Sequence, residues 1–297
     1  MRRGVALSVL SSFLFALLYY YATVLQPLDG EAVFAWRIVL GLPALALLIT
    51  RARGWGEVAA IADRLRREPR LWFFLALSAA LIGVQLWIFV WAPLHQKALD
   101  VSMGYFLLPL MMVLTGRVFY GERLTRIQTL AVMLAAAGVT HELFRQASFS
   151  WATAVVVLGY PPYFMLRRHL RIGSLSTLWY DILFIMPGAV FLLYMQDTSV
   201  LAQFTAHPRL LVLVPVLGLI SSAALIAYIT ASRLLPLGLF GILGYVEPIL
   251  LFWVAYLLLG EPLSAAAWPT YIPIWLAVAL MAGEGVVKWQ KTKGRKV

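Results

Sequence analysis

Three ionisable side chains, Arg37, Asp181 and Glu247, lie inside long apolar stretches of the sequence. A charge at the centre of a membrane-spanning helix costs about 2.5–3.5 kcal/mol on insertion scales, so such residues usually bind a substrate, an ion or each other. At a rise of about 1.5 Å per residue, Arg37 and Glu247 lie at similar depths, and Asp181 lies roughly 10 Å from the level of Arg37. The three residues predict a site for a charged substrate or a proton, although a static ion pair that fixes helix register explains the same pattern.

Polar and aromatic side chains are expected close to these charges. Gln85 falls at about the depth of Arg37, Trp87 and Trp91 share a helix face at a spacing of four residues, and Tyr163 lies deeper. Aromatic rings that line a cavity can stack on a planar or cationic substrate, and plain packing is the alternative for each of them. The complete set of candidate substrate-binding residues is Arg37, Gln85, Trp87, Trp91, Tyr105, Tyr163, Asp181, Gly244, Tyr245 and Glu247.

Two prolines at matching places indicate where a cavity opens. A proline leaves the carbonyl four residues earlier without its helical partner, and in lipid that carbonyl needs another donor or a cavity. Pro109 frees the carbonyl of Tyr105 and Pro248 frees that of Gly244, so we expect a cavity between the helices that carry them. Three glycines of the second helix allow either close substrate contact or simple helix packing; they are Gly238, Gly241 and Gly244.

Ten apolar stretches are long enough to hold these residues in a bilayer. A hydrocarbon core of about 30 Å needs roughly 20 helical residues, and the stretches lack the alternation of β-barrel strands. They predict an all-α integral membrane protein with ten transmembrane helices. The first stretch is interpreted as a span because its apolar run is too long for a signal peptide. The stretches are 4–24, 32–50, 71–92, 101–120, 124–142, 151–167, 174–194, 209–231, 237–259 and 265–287.

The composition excludes most other classes of protein. Of the 297 residues, 62% are apolar, 12% are charged and none is cysteine, which excludes an ordinary soluble domain, a disulfide scaffold and a thiolate metal site. The four histidines have no zinc-binding spacing, and there is no nucleophile elbow or phosphate-binding loop. The longest loop, 51–70, is too short for a nucleotide-binding domain. We therefore expect no enzyme, no cofactor, no metal and no ATP-driven pump; a lipid-modifying membrane enzyme and a channel are the alternatives.

Lysine and arginine are distributed unequally between the two predicted sides. With the N-terminus inside, 20 of the 24 basic residues lie in inner segments, 3 lie in outer segments, and Arg37 lies within a span. By the positive-inside rule, both termini are expected on the cytoplasmic side of the inner membrane. The net charge of +11 would suggest a nucleic-acid partner in a soluble protein, but here it reflects orientation, so no nucleic acid is expected.

One hairpin occurs twice in the sequence, 139 residues apart. A five-span unit that begins inside ends outside, so the second copy must be inverted, as in many secondary transporters. We predict one repeat over 1–145, an inverted repeat over 146–290 and a basic cytoplasmic tail over 291–297. For the paired glutamates we favour a structural role, in which glycine ends one helix and the acid stabilises the next, over catalysis. The matching residues are Pro109, Gly121, Glu122 and Leu124, and Pro248, Gly260, Glu261 and Leu263.

These features resemble the EamA-type branch of the drug/metabolite transporter superfamily, and within it the RarD-like permeases. The resemblance covers nearly the whole chain, and although each motif is short, their order and spacing are specific. The segments that carry it are Trp36-Arg37, 88–91, 102–106 with Pro109, 121–124, 135–139, 163–168, Gly244-Tyr245 with Pro248, 260–264 and 274–277.

The resemblance implies an inner-membrane carrier that moves small metabolites, amino-acid-like compounds or drugs by alternating access, often outward. The arginine of the family's second span maps to Arg37, and the acid of its seventh span maps to Asp181. The sequence departs from the family pattern at Trp36, Gln85 and Glu247, where the family usually has histidine, asparagine and glycine. Because these positions lie near the expected cavity, the substrate is expected to differ from that of better-known relatives, with a proton as the candidate coupling ion.

Overall fold

The computed structural model describes residues 2–121, 123–146, 150–170, 172–196, 199–235, 239–240 and 243–294, and within these ranges the regular structure is helical, with no strand. Short 3-10 segments cover Ala92–His95 and Ala265–Ala267, and a π-helical turn covers Val254–Leu258. The α-helices are α1 (Arg2–Val24), α2 (Gly30–Arg51), α3 (Trp55–Arg67), α4 (Arg70–Trp91), α5 (Ala98–Tyr120), α6 (Arg126–Gln146), α7 (Trp151–Leu170), α8 (Ser174–Tyr194), α9 (Val200–Ala206), α10 (Leu210–Leu234), α11 (Val246–Trp253) and α12 (Trp268–Gly294).

Among the described residues, seven helical segments are long and apolar enough to cross a membrane. A further apolar helix over Val246–Leu258 is shorter than a full span. The chain is therefore an all-α, multi-pass membrane protein, as the composition predicts, whereas the count of ten spans stays a prediction. The seven segments are Arg2–Val24, Gly30–Arg51, Arg70–His95, Ala98–Tyr120, Leu175–Tyr194, Leu210–Leu234 and Ala265–Val287.

The segment 51–70, which the sequence analysis treats as a loop, contains the amphipathic helix α3. One face of this helix is buried through Val58, Ile61 and Leu65, and its last turn is basic. The Tyr180 hydroxyl of α8 donates a hydrogen bond to the Val58 carbonyl at 2.9 Å. The connection between the predicted spans is therefore partly helical, because the apolar residues of α3 are too few for a span but sufficient for one buried stripe.

The helix expected over 237–259 is interrupted. A turn at Gly244-Tyr245 breaks this predicted span, and α11 begins after the turn, at Val246. Glu247 and Pro248 therefore lie in the first turn of a helix and not in the middle of one. Proline is tolerated there because the first backbone N–H groups of a helix have no intrahelical partner, and an acid is stabilised by the positive end of the helix dipole.

The chain folds into two compact units, each built from separate stretches of sequence. Unit 1 comprises residues 1–16, 96–161 and 227–297, and unit 2 comprises residues 17–95 and 162–226. In unit 2, α2, α4 and α8 pack against one another, with α3 alongside α8. In unit 1, α6 packs along α12, and α5 contacts α6, α11 and α12.

Glycine permits the closest helix contacts within each unit. In unit 1, a Cβ atom on Gly138 of α6 would lie 2.6 Å from the Thr270 carbonyl oxygen of α12. In unit 2, a Cβ atom on Gly218 of α10 would lie 2.7 Å from the Leu40 Cβ atom of α2. No side chain fits at such distances, so each pair of backbones can approach only with glycine at that position.

The two repeated hairpin glycines have the same left-handed backbone. Gly121, at the end of α5, has a φ of 64°, and Gly260, after the π-helical turn, has a φ of 66°. Residues other than glycine rarely adopt this conformation, which ends a helix and frees the chain to reverse direction. Both glycines therefore have the helix-ending role that the sequence predicts.

Candidate functional site

Asp181 is the centre of a buried polar cluster in unit 2. The carboxylate is fully buried in α8 and accepts hydrogen bonds from two hydroxyl groups on other helices. Ser78 Oγ of α4 donates to Oδ1 at 2.7 Å, and Tyr163 Oη of α7 donates to Oδ2 at 2.9 Å. A buried carboxylate is tolerated when its oxygens are hydrogen-bonded, so the cluster joins α4, α7 and α8.

Arg167 extends this cluster by one turn of α7. Its Nη1 atom donates to the Tyr163 hydroxyl oxygen at 2.9 Å, and the guanidinium lies over the Tyr163 ring, 5.2 Å from the centroid. The tyrosine hydroxyl thus accepts from the arginine and donates to Asp181. The result is a linear chain from guanidinium to hydroxyl to carboxylate, with a permanent cation at one end.

Arg37 forms a second polar cluster in unit 2, on α2. The residue is 8% exposed. Its Nε atom donates to Ser221 Oγ of α10 at 3.0 Å, its Nη1 atom donates to the Leu86 carbonyl of α4 at 3.5 Å, and the guanidinium lies 5.3 Å from the centre of the Phe89 ring. A hydroxyl, a carbonyl and an aromatic face can each help to solvate a buried cation.

Helix α4 connects the two clusters. Ser78 contacts Asp181, and Leu86 and Phe89 contact Arg37, so about 12–16 Å of helix separates the two levels at a rise of 1.5 Å per residue. Gln85 lies on α4 next to the Arg37 level and is buried, with 1% of its surface exposed. Within unit 2, the structure therefore brings Arg37 and Gln85 to one level and Tyr163 and Asp181 to another.

Trp87 and Trp91 form a column of rings at the end of α4. The Trp87 indole nitrogen donates to Glu31 Oε1 at 3.3 Å, and the two tryptophan rings lie 5.3 Å apart. His95 stacks on Trp91 at 3.9 Å, and a Cβ atom on Gly30 would meet the Trp91 ring at 2.8 Å. These contacts pack the column against the start of α2 and the 3-10 segment, and a role of the two tryptophans in substrate binding stays a prediction.

The four remaining candidates lie in unit 1. The Tyr105 hydroxyl of α5 is 3.1 Å from the Tyr160 hydroxyl of α7, so the two tyrosines share one hydrogen bond. Gly244 is exposed within its unit, and Tyr245 occupies the residue before α11. Glu247 lies in the first turn of α11, where the positive end of the helix dipole stabilises its carboxylate.

Glu261 does not stabilise the helix that follows it, contrary to the simplest hairpin interpretation. Its two carboxylate oxygens accept from the Ala98 and Leu99 backbone N–H groups, at 2.6 and 2.8 Å, which are the first amides of α5. Burial raises the pKa of this carboxyl, although the two backbone hydrogen bonds oppose that shift. Glu261 therefore contacts the start of α5 and not the helix that follows it in the sequence. Glu122, Gly238 and Gly241 lie outside the described residues.

Several residues of both clusters escaped the sequence analysis. Ser78 and Ser221 are small polar residues without a spacing signal, and Arg167 contributes to the sequence argument as a basic residue at a span end and as part of segment 163–168. They can be recognised only from contacts between helices far apart in the sequence. Among the described residues, no group of three or more acidic or histidine side chains is placed to hold a metal ion.

Known proteins provide three comparisons. The EamA-like transporter family model matches residues 2–141. The chloramphenicol-sensitive protein RarD of Pseudomonas aeruginosa is 50% identical over 94% of this chain and 93% of its own length, and an uncharacterized transporter of Haemophilus influenzae is 37% identical over 97% and 96%. A crystal structure of a protein with 17% identity has a similar fold, with a TM-score of 0.56 over 93% of this chain and 95% of that chain.

Proposed function

Because the chain belongs to the EamA-like transporter family, as a RarD-like permease of the inner membrane, we propose that it is a secondary active transporter that exports a small metabolite or drug by alternating access. The transporter has ten spans in two inverted repeats, and both termini are cytoplasmic. The 20-to-3 distribution of basic residues supports this orientation.

The composition of the two units supports the inverted repeat. Numbered along the sequence, the predicted spans two and seven are α2 and α8, spans four and nine contain α5 and α11, and spans five and ten are α6 and α12. Each of these pairs packs together within one unit. Three of the five predicted pairs thus join a span to its counterpart five positions later, which is the arrangement that a two-fold axis in the membrane plane produces.

Arg37 is the residue that we propose binds the substrate. Its buried guanidinium, with Ser221, the Leu86 carbonyl and Phe89 around it, is the single observation that carries the proposed site. Such a group pairs with a carboxylate or phosphate in two parallel hydrogen bonds. An amino-acid-like compound or another organic anion is therefore the proposed substrate class, with Gln85 beside the charge.

Proton coupling is the proposed source of energy. Either Asp181 or Glu247 takes up a proton that competes with substrate binding at Arg37, so that proton release to one side accompanies substrate exchange. The interrupted helix before Glu247 supports a role for that acid, because non-helical backbone within a membrane is tolerated where it lines a cavity. The other candidates, Tyr105, Tyr163, Gly244, Tyr245, Trp87 and Trp91, line or support the pathway in this proposal.

A ligand screen tests the substrate site directly. Purified protein is screened by thermal shift against organic anions and against chloramphenicol, the compound in the name of the Pseudomonas relative. Compounds that stabilise the wild type should lose that effect in Arg37→Gln and keep it in Arg70→Gln, which removes an exposed arginine from the same unit. Stabilisation that persists in Arg37→Gln would place the binding site elsewhere.

A further inference from the structure

A second hydrogen-bonded chain lies at the crossing of α6 and α12 in unit 1, apart from the residues considered so far. His141 Nδ1 is 2.9 Å from Thr270 Oγ1, and Thr270 Oγ1 donates to Glu142 Oε2 at 2.6 Å. Thr270 is fully buried and Glu142 is 8% exposed, whereas His141 is half-buried. The threonine hydroxyl therefore links a titratable ring near the surface of the unit to a buried carboxylate.

Gly138 makes this geometry possible. It lies one turn before His141 on α6, and a Cβ atom on Gly138 would lie 2.6 Å from the Thr270 carbonyl oxygen. The absence of a side chain lets α6 approach α12 so closely that the short Thr270 side chain reaches both of its partners. The chain of contacts is thus set by the backbone of both helices.

Donor counting fixes where the protons are in this chain. A threonine hydroxyl has one hydrogen and two acceptor positions. When Glu142 is ionised, the hydroxyl hydrogen is directed at its carboxylate, so the Thr270 oxygen accepts from His141, whose Nδ1 atom then carries a proton. The order is therefore His141 N–H to Thr270 O–H to the Glu142 carboxylate, in which each proton is directed at the next acceptor.

We propose that His141, Thr270 and Glu142 form a proton relay, in which Glu142 is a proton-binding site that is loaded through His141. An incoming proton binds His141 Nε2, and the ring becomes cationic. The Nδ1–H bond then breaks as that proton passes to Thr270 Oγ1, while the Thr270 O–H bond breaks as its proton passes to Glu142 Oε2. The ring ends neutral with its proton on Nε2, Thr270 regains a hydroxyl, and Glu142 becomes a carboxylic acid.

Other charged side chains lie on the elements packed against α6 and α12. On the elements packed against α6 and α12 at this end of unit 1, the charged side chains with described contacts are Lys97, Asp100 and Glu261. Lys97 pairs with Asp100 at 3.1 Å, and Glu261 is held by the first amides of α5. These groups are thus engaged with one another or with backbone.

The relay adds a proton-exchange step to the proposed transport function. Its biological role rests on that function. The charge distribution places this end of α6 and the start of α12 on the outer side of the membrane. Exchange of a proton between the outside and a buried acid is one half of the cycle that a proton-coupled exporter requires. The inference assigns that step to unit 1, in addition to the acids proposed above.

The tautomer of His141 tests the relay without any substrate. Nitrogen NMR of histidine-labelled protein in lipid nanodiscs, with the signal assigned by its loss in His141→Gln, should show the neutral ring with its proton on Nδ1. Thr270→Val removes the acceptor and should move part or all of that proton to Nε2, whereas Thr270→Ser should keep it on Nδ1. An Nε2–H ring in the wild type, or an unchanged ring in Thr270→Val, would overturn the relay.

Proton arrival at the carboxyl is followed by infrared difference spectroscopy after a jump from about pH 8 to about pH 5, the range over which histidine changes charge. A carboxylic-acid band that is absent in Glu142→Gln should appear, and it should appear about tenfold or more slowly in Thr270→Val than in Thr270→Ser. Absence of a Glu142-dependent band would overturn the proposal. If these signals appear but vesicles transport none of the probes, the relay stands and the proposed transport function fails.

Discussion

Two buried carboxylates, one in each unit, are held by similar chains of hydrogen bonds that end differently. In unit 2, Arg167 donates to Tyr163, which donates to Asp181. In unit 1, His141 Nδ1 is 2.9 Å from Thr270 Oγ1, which donates to Glu142; the proposed relay has the His141 ring as the donor. Both chains run from a nitrogen donor through one hydroxyl to a carboxylate, and the distances within them lie between 2.6 and 2.9 Å.

The terminal donor decides what each chain can do. Arginine stays protonated at any pH that a protein experiences, so it has no proton to pass on. Histidine gains and loses a proton near neutral pH. The chain of unit 2 is therefore suited to hold three helices and a fixed cation, and the chain of unit 1 is suited to move a proton. Similar geometry supports two functions because one end group differs.

The largest effect on stability is expected from removal of the carboxylate in unit 2. Asp181→Ala leaves the buried Ser78 and Tyr163 hydroxyls without their acceptor, which costs about 1–3 kcal/mol for each group. The thermal midpoint in detergent should fall strongly in Asp181→Ala. It should fall less in Asp181→Asn, which keeps an acceptor oxygen. Equal stability of wild type and Asp181→Ala would show that the cluster does not hold α4, α7 and α8 together.

The next largest effect is expected where α6 meets α12. Gly138→Ala forces its new methyl group against the Thr270 carbonyl oxygen, and overpacking of this kind costs about 1–3 kcal/mol. The change should lower the thermal midpoint and also lengthen the contact between His141 and Thr270. Gly188→Ala on α8 is the matched control, since no atom lies within 4 Å of its added methyl group; comparable losses in both variants would argue against a close crossing.

Matched removal of one hydroxyl from each chain separates their roles. Tyr163→Phe should lower stability by about 1 kcal/mol or more and should change the pH dependence of flux in reconstituted vesicles less than Thr270→Val does, because Arg167 has no proton to pass on. Thr270→Val should change that pH dependence, because the proton path is cut. The same pH profile in both variants would remove the distinction between the two chains.

The smallest effect is expected for Glu261, a carboxylate that is held by backbone amides. Burial raises its pKa in the folded protein, so the folded state binds this proton more tightly than the unfolded state, and the stabilisation that protonation gives is lost as the pH rises through the folded pKa. Glu261→Gln should flatten the dependence of the thermal midpoint on pH and cost up to about 1 kcal/mol of helix stabilisation at neutral pH. Thermal midpoints over a pH series give both quantities, and an unchanged slope would contradict this assignment.

Sequence reasoning succeeds where one residue is unusual in its own helix. Arg37 and Asp181 are charges among apolar neighbours, and both occupy buried polar clusters. The repeated glycines at 121 and 260 are recognisable because a left-handed residue between two helices favours glycine. The apolar stretches predict the membrane helices because hydrophobic length is a local property of the chain.

Features that depend on distant partners could not be predicted in this way. Ser78 and Asp181 are 103 residues apart, and Thr270 and Glu142 are 128 residues apart, so no spacing in the sequence relates them. The break at Gly244-Tyr245 was missed because the segment is apolar apart from Glu247 and its hydropathy resembles that of a continuous span. Helix α3 was missed because its apolar stripe is shorter than a membrane helix.

The central claim is that substrate binds at Arg37 and exchanges across the membrane against a proton. The most direct measurement is flux of radiolabelled probes, namely chloramphenicol and the organic anions retained by the ligand screen, into wild-type, Arg37→Gln and Arg70→Gln vesicles with and without an imposed pH gradient. We expect saturable, gradient-dependent flux in wild type and Arg70→Gln, and a loss of about tenfold or more in Arg37→Gln, equivalent to one charge-assisted hydrogen bond or more. Flux in Arg37→Gln equal to that of the wild type would contradict the claim.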